Sequence, residues 1–330
     1  MQTIGIVGAG AWGTALAQNA AANACRVQLW TRHREHAQAL ESTRRNERYL
    51  PGMALDPAIR VSADGAVLQS CDAVLMVAPA QHLRSIAGRL QADIGPSIPL
   101  VICAKGIEKG SRALMSDVLD SVLPGRPVAV LSGPSFAADV VRGLPTAVTL
   151  GCGDDAIARA LSKALGRPAF RIYSSDDLVG VQIGGAVKNV IAIACGIVTG
   201  RALGDSARAA LMTRGLAEIS RFGAARGARG ETLMGLSGLG DLTLTCNSEL
   251  SRNMSLGIEL GRGRSMADIL AARASVAEGV ATAAALVEEA EARAIDMPIT
   301  AAVDAICNRD ANIDKTIQAL LARPMRAERE

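Results

Sequence analysis

Residues 3–13 read TIGIVGAGAWG: an apolar run of β character, Thr3–Val7, passes directly into Gly8, Gly10 and Gly13 and then into a helical stretch. Each glycine has its own task in such a strand–turn–helix. The first permits the turn, the second lets a phosphate group approach the backbone, and the third lets helix and strand pack closely. Backbone amides at the helix start, where Ala11 and Trp12 lie, then face the anion. This spacing alone can mark any tight turn. At the first strand–helix junction of an alternating chain it favours a dinucleotide site.

The alternation is present. Further β-type runs occur at Arg26–Trp30, Ala73–Ala78, Leu100–Ala104, Val128–Leu131, Thr146–Leu150 and Phe170–Tyr173, with helical spacing at 12–22, 34–42, 81–91, 112–121 and 154–165. Nearly continuous apolar strands between helices predict a parallel sheet covered on both faces, an α/β arrangement. After Ser174-Ser175-Asp176-Asp177 the pattern changes, and residues 208–222, 251–261, 275–294 and 311–322 show helical spacing with little sign of strands. The expected organisation is an α/β domain over 1–175 followed by an all-helical domain over 176–330.

Composition excludes several classes. With 330 residues, 49% hydrophobic and only 2% aromatic, the core is built from small aliphatic side chains. A net charge of +3, from 35 basic and 32 acidic residues, is too mild to predict a nucleic-acid partner. The seven cysteines are scattered without a CxxC pair, which predicts buried reduced thiols and no metal site. A strand so near the first residue leaves no room for a signal peptide, so the expected location is cytoplasmic.

The end of the second strand bears on the choice of nucleotide. It reads Leu29-Trp30-Thr31-Arg32-His33-Arg34, without the carboxylate that usually binds the ribose hydroxyls of NAD. Arg32, aided by His33 or Arg34, suits a 2′-phosphate, so NADP is expected over NAD. Ligands of open parallel sheets bind beyond the carboxyl ends of the strands. Lys105-Gly106 and Gly133-Pro134-Ser135 follow such ends, which aims Lys105 at the same cleft.

In the second half, Val179 to Val198 reads VGVQIGGAVKNVIAIACGIV, with Lys188 as its only charge. It has the length of a membrane span, but Gln182, Lys188, Asn189 and four glycines predict a buried helix of a soluble protein. An ammonium group taken out of water must be paired, neutralised or turned toward a polar cavity. Helical side chains lean over the preceding turn, so Gly184 and Gly185 are read as room for a ligand beside Lys188. A structural lysine paired with a distant carboxylate is the competing reading, and this segment alone does not separate the two.

Further motifs follow the same order: GGAVKN (184–189), SGLGDL (237–242), SRN (251–253) and AEG (277–279), beside GAGAWG (8–13), AKG (104–106) and SGPSFA (132–137). Together they resemble the bacterial NAD(P)-dependent glycerol-3-phosphate dehydrogenases over nearly the whole chain. That resemblance implies a Rossmann-type doubly wound sheet followed by a helical domain, and a homodimer. It also implies interconversion of dihydroxyacetone phosphate and sn-glycerol 3-phosphate. By the same resemblance Lys188 is the proton donor and acceptor, and Lys105 binds substrate near the cofactor. Gly133 and Ser135 form the substrate loop, Ala137 touches the cofactor, and Asp241, Ser251, Arg252 and Asn253 bind substrate, with Arg252 also near the nucleotide. Val276 and Glu278 match late cofactor contacts; Arg32, His33 and Tyr49 match the adenosine end. Many members carry Ser where this chain has Ala11, which removes one side-chain hydrogen bond to the cofactor.

The residue types suit the chemistry. Reducing a ketone needs a hydride on carbon and a proton on the developing alkoxide. A buried lysine, its pKa lowered by burial and by Lys105, can supply that proton and take it back, with Asp241 orienting it. Two other readings exist: a β-hydroxyacid or 2-ketoacid reductase of similar build, and a non-catalytic nicotinamide-redox sensor. The first needs a carboxylate site, whereas SRN with Lys105 suits a phosphate ester. The second gives no reason for Lys188 beside two glycines.

Overall fold

The computed structural model describes residues 1–273 and 277–325. Its first half contains β1 (Thr3–Val7), α1 (Ala11–Ala21), β2 (Arg26–Trp30), α2 (Arg34–Thr43), β3 (Ile59–Ser62), β4 (Ala73–Met76), α3 (Leu83–Arg89), β5 (Leu100–Ile102), α4 (Met115–Val122), β6 (Val128–Ser132), α5 (Ala137–Val141), β7 (Thr146–Cys152), α6 (Asp155–Leu165) and β8 (Phe170–Ser175). The second half contains α7 (Leu178–Gly200), α8 (Asp205–Ala225), α9 (Gly230–Leu233), α10 (Asp241–Cys246), α11 (Arg252–Gly261), α12 (Met266–Ala271), α13 (Glu278–Ala292), α14 (Pro298–Arg309) and α15 (Ile313–Leu321). No strand occurs after Ser175 among the described residues.

The eight strands form one sheet in the order β3-β2-β1-β4-β5-β6-β7-β8. From β1 the chain winds outward to β3, then returns to β4 on the other side of β1, creating a switch point beside the glycine-rich turn. Val7 lies opposite both Trp30 and Met76, Met76 opposite Ile102, and Ile102 opposite Val130. The carboxyl ends of β1, β2, β4, β5 and β6 are therefore level, and the loops that follow them share one edge. Buried aliphatic residues cover both faces. Ile4, Ile6 and Leu29 pack under α1, while Val7, Trp30 and Met76 pack on the opposite side with Leu83 and Leu119.

Three details depart from the sequence expectation. The sheet is not wholly parallel: β7 runs antiparallel to β6, and β8 follows β7. The helix α5, between β6 and β7, has five residues and extends only about 7.5 Å, too little to carry the chain back along the sheet for a parallel return. β3 was not expected, because as an edge strand it alternates apolar with polar residues and has no continuous apolar run. The helices α9, α10 and α12, of 4, 6 and 6 residues, are too short to show a repeat, whereas α14 was not expected although Ile299, Val303, Ile306 and Cys307 recur at helical spacing after Pro298.

α7 is the axis of the second half. Its 23 residues are long and apolar enough to cross a membrane, yet 94% of its most apolar stretch is buried within the protein. α8, α10, α11, α13 and α14 all pack on it. The approach of α11 is backbone to backbone. A side-chain carbon added at Gly196 would lie 2.2 Å from the Met254 carbonyl, and one at Gly257 would lie 2.1 Å from the Ile193 carbonyl. Gly200 and Gly261 repeat the contact one turn on. All seven cysteines are free and buried, as expected.

Candidate active site

At the carboxyl end of β1 the glycine-rich turn divides its work as its spacing predicts. Gly8 has φ +120°, a conformation that L side chains rarely adopt. A carbon added at Gly13 would lie 1.8 Å from the Gly8 carbonyl, so only glycine lets α1 start this close to the strand. Over Gly10, by contrast, such a carbon meets nothing within 4 Å among the described residues. α1 begins at Ala11 with no side-chain cap and no acidic residue in its first turn. An open backbone cradle at an uncapped helix N-terminus fits a pyrophosphate. The Trp12 indole nitrogen is buried there without a hydrogen-bond partner among the described residues.

Arg32 and His33 follow β2 and are exposed, with Arg32 Nε donating to His33 Nε2 at 2.8 Å. Tyr49 stands nearby, its ring centroid 5.7 Å from that of His36, with the Arg48 guanidinium 5.2 Å from its ring. Burial holds the His36 imidazole below its ordinary pKa, opposed by a side-chain contact with Asn46.

The lysines meet where β5, β6, α7 and α10 converge. Lys188 Nζ donates to Asp241 Oδ1 at 2.5 Å and to Thr245 Oγ1 at 2.6 Å. Lys105 Nζ donates to Asp241 Oδ2 at 2.7 Å and to the Gly133 carbonyl at 3.0 Å. One carboxylate, itself 1% exposed, thus holds two ammonium groups and leaves a net positive charge. An ammonium has three donors. Among the described residues each lysine directs two of them at protein, and one remains for a ligand. Burial lowers the Lys188 pKa to about 8, opposed by Asp241 and assisted by the charge of Lys105.

Asp241 is the first residue of α10 and follows a π-helical turn, Leu236–Gly240, a device that recurs at functional sites. Thr245, one helical turn later, was not singled out in the sequence. Its position four residues after Asp241 on a helix was the signal available.

The two glycines before Lys188 do not leave space for a ligand, and here the sequence expectation is corrected. A carbon added at Gly184 would lie 2.7 Å from the Ser237 carbonyl and 2.9 Å from Gly238 Cα, so this surface receives the π-helical turn. At Gly185 it would lie 2.5 Å from Ser132 Oγ and 3.5 Å from Lys105 Cγ. The missing side chains bring Asp241 and Lys105 close to Lys188.

The other expected residues fall into two groups. Gly133 has φ +145° and accepts from Ser135 Oγ at 3.0 Å as well as from Lys105, while Ala137 opens α5. Ser251 is the N-cap of α11, its hydroxyl accepting from the Met254 amide at 3.2 Å, and Arg252 begins that helix. Asn253 donates to Asn189 Oδ1 at 2.9 Å and accepts from the Gly279 amide at 3.0 Å. Asn189 donates in turn to the Lys105 carbonyl at 3.0 Å, a link the sequence did not indicate. This chain joins the start of α11 to the Lys105 loop. Glu278 accepts from the Ala80 amide at 3.0 Å and so ties α13 to the loop after β4. Val276, and the start of the helix expected over 275–294, lie outside the described residues.

Comparison with known proteins agrees in both halves. Residues 3–158 match the family described as NAD-dependent glycerol-3-phosphate dehydrogenase N-terminus, and residues 177–318 match its C-terminus. A glycerol-3-phosphate dehydrogenase (NAD(P)+) of Parvibaculum lavamentivorans is 54% identical over 325 residues, covering 98% of each chain. One of Rhodospirillum rubrum is 55% identical over 326 residues, covering 98% of this chain and 93% of its own. The crystal structure of a glycerol-3-phosphate dehydrogenase from Coxiella burnetii superposes with a TM-score of 0.94 at 38% identity, over 98% of this chain and 99% of that one. The glycine-rich turn, the paired lysines and the matches over both halves thus lead to one conclusion: this chain belongs to the NAD-dependent glycerol-3-phosphate dehydrogenase family.

Proposed function

We propose that the protein interconverts dihydroxyacetone phosphate and sn-glycerol 3-phosphate with NADPH as preferred cofactor and NADH as a poorer one, supplying the backbone of glycerophospholipids. The observation that carries this reading is the sharing of Asp241 between Lys105 and Lys188 at the sheet edge that also bears the open turn over Gly10. The nicotinamide cofactor, when bound, supplies the hydride. Gly8, Gly10, Ala11, Trp12 and Gly13 would hold its pyrophosphate, and Arg32, His33 and Tyr49 its adenosine end, with Ala137 and Glu278 nearer the reacting ring.

The chain's own residues supply binding and the proton. Lys188 Nζ, held by Asp241 and Thr245, directs its remaining N–H at the ketone oxygen and releases the proton as charge develops there. In the oxidative direction the neutral amine accepts the proton from the alcohol. A pKa of about 8 leaves both forms accessible near neutrality. Lys105 neutralises negative charge beside it, and Ser251, Arg252 and Asn253 at the start of α11 receive the phosphate. Asp241 is the partner of both lysines. The chain works as two domains, 1–175 and 176–330, with the reaction at their seam. A cytoplasmic homodimer belongs to the same reading.

The test follows NADPH oxidation with dihydroxyacetone phosphate, unphosphorylated dihydroxyacetone and a 2-ketoacid. Turnover is expected for the phosphate ester alone. Turnover of the ketoacid without the ester would overturn the assignment in favour of the hydroxyacid-reductase reading.

A further inference from the structure

Asn46 lies in the segment between α2 and β3, belongs to none of the motifs, and is 1% exposed. Its amide nitrogen makes two hydrogen bonds, to the Ala9 carbonyl at 3.0 Å and to Thr14 Oγ1 at 2.7 Å. Ala9 sits between Gly8 and Gly10, inside the turn. A trans peptide is planar, so its C=O and N–H point in opposite directions. Drawing the Ala9 carbonyl inward to Asn46 therefore turns the Gly10 N–H outward, where a carbon added at Gly10 meets none of the described residues within 4 Å.

We propose that Asn46 is a positioning residue for the cofactor's pyrophosphate: it fixes the Ala9–Gly10 peptide in the orientation that offers the Gly10 amide to the anion. The inference rests on the dinucleotide reading above and adds a residue to it. A side-chain amide is needed at this position because it donates twice. A carboxylate of the same shape would donate nothing and would set negative charge against the Ala9 carbonyl and near the phosphates. Without the Asn46 contact the peptide is free to rotate, and the anion loses an oriented donor. A hydrogen bond to a charged group is stronger than one between neutral groups, so the expected loss of affinity is about tenfold or more.

The experiment measures dissociation constants by fluorescence titration for NADPH, and by competition for adenosine 2′-monophosphate, which has the adenosine end with its 2′-phosphate and no 5′-phosphate. Asn46→Asp and Asn46→Ser should weaken NADPH about tenfold or more while adenosine 2′-monophosphate changes by no more than about twofold. Thr14→Val removes the other hydrogen bond of the Asn46 amide nitrogen and keeps the Ala9 bond, and it should leave NADPH binding at the wild-type level. Unchanged NADPH affinity in folded Asn46→Asp or Asn46→Ser refutes the inference while the cofactor reading stands. Equal losses for both ligands, or a loss in Thr14→Val matching that of Asn46→Ser, reduce Asn46 to a scaffold residue and overturn it as well. Failure of the wild-type protein to bind NADPH overturns the cofactor reading itself.

Discussion

Lys188 Nζ and Asp241 Oδ1 stand 2.5 Å apart, with both residues at most 5% exposed. A buried ammonium held by a buried carboxylate is a common structural pair, and taken alone it says nothing of catalysis. Two further facts suit a proton-transferring lysine: Asp241 is shared with Lys105, and burial still outweighs it in lowering the Lys188 pKa to about 8.

Lys188→Met should fold, because it replaces a buried charge with an apolar chain of similar length. Reduction of dihydroxyacetone phosphate should fall by about 10²–10⁴, the usual contribution of a general acid. NADPH binding, measured by fluorescence titration, should change little. Loss of the folded state in place of turnover would mark Lys188 as structural.

The two reaction directions should have opposite pH limbs. Reduction requires protonated Lys188, so its kcat/KM should decline as pH rises through about 8, whereas oxidation requires the neutral amine and should increase through the same region. The same shift affects stability with a definite sign. A lysine whose folded pKa is lowered binds fewer protons folded than unfolded between about 8 and its ordinary 10.5. Its burial penalty is therefore fully present below about 8 and relieved as pH rises through that window. Parallel pH limbs in the two directions would remove Lys188 from the proton-transfer role.

Asp241→Asn keeps the shape but removes the charge that raises the Lys188 pKa. The alkaline limb of the reductive profile should move to lower pH, and two neighbouring ammonium groups should lose their common partner. Steady-state rates across pH read this directly. A fall in rate at all pH values with an unmoved limb would assign Asp241 to substrate placement alone.

Gly184→Ala and Gly185→Ala should differ. The carbon added at Gly184 meets backbone of the π-helical turn at 2.7 Å, which cannot move without displacing Asp241. The carbon added at Gly185 meets the Ser132 hydroxyl at 2.5 Å, and a hydroxyl can rotate away. Overpacking costs typically 1–3 kcal/mol, and Gly184→Ala is expected near the upper end with a larger loss of turnover. Urea denaturation with parallel assays checks the order; a reversed order contradicts the packing described.

Arg32→Glu should raise the KM for NADPH about tenfold or more and leave that for NADH nearly unchanged, since the 2′-phosphate then faces a like charge. Equal effects on both cofactors would place Arg32 away from the 2′-phosphate.

Features with short-range causes are legible in the sequence alone. The glycine spacing after β1, the Arg32–His33 pair after β2, the alternation of strands and helices, and a lone charge in an apolar helix all depend on backbone dihedrals, residue period or composition within a few positions. Tertiary packing decides what those features touch. The partner of Lys188 is 53 residues away and that of Lys105 is 136 away, and both are set by how α10 meets α7 and β5. The reversal of β7, the edge strand β3, the reach of Asn46 to Ala9 and the filling of the space over Gly184 and Gly185 are likewise invisible along the chain. A missing side chain is a local fact, but whether ligand or protein occupies its place depends on the closest approach of segments distant in sequence.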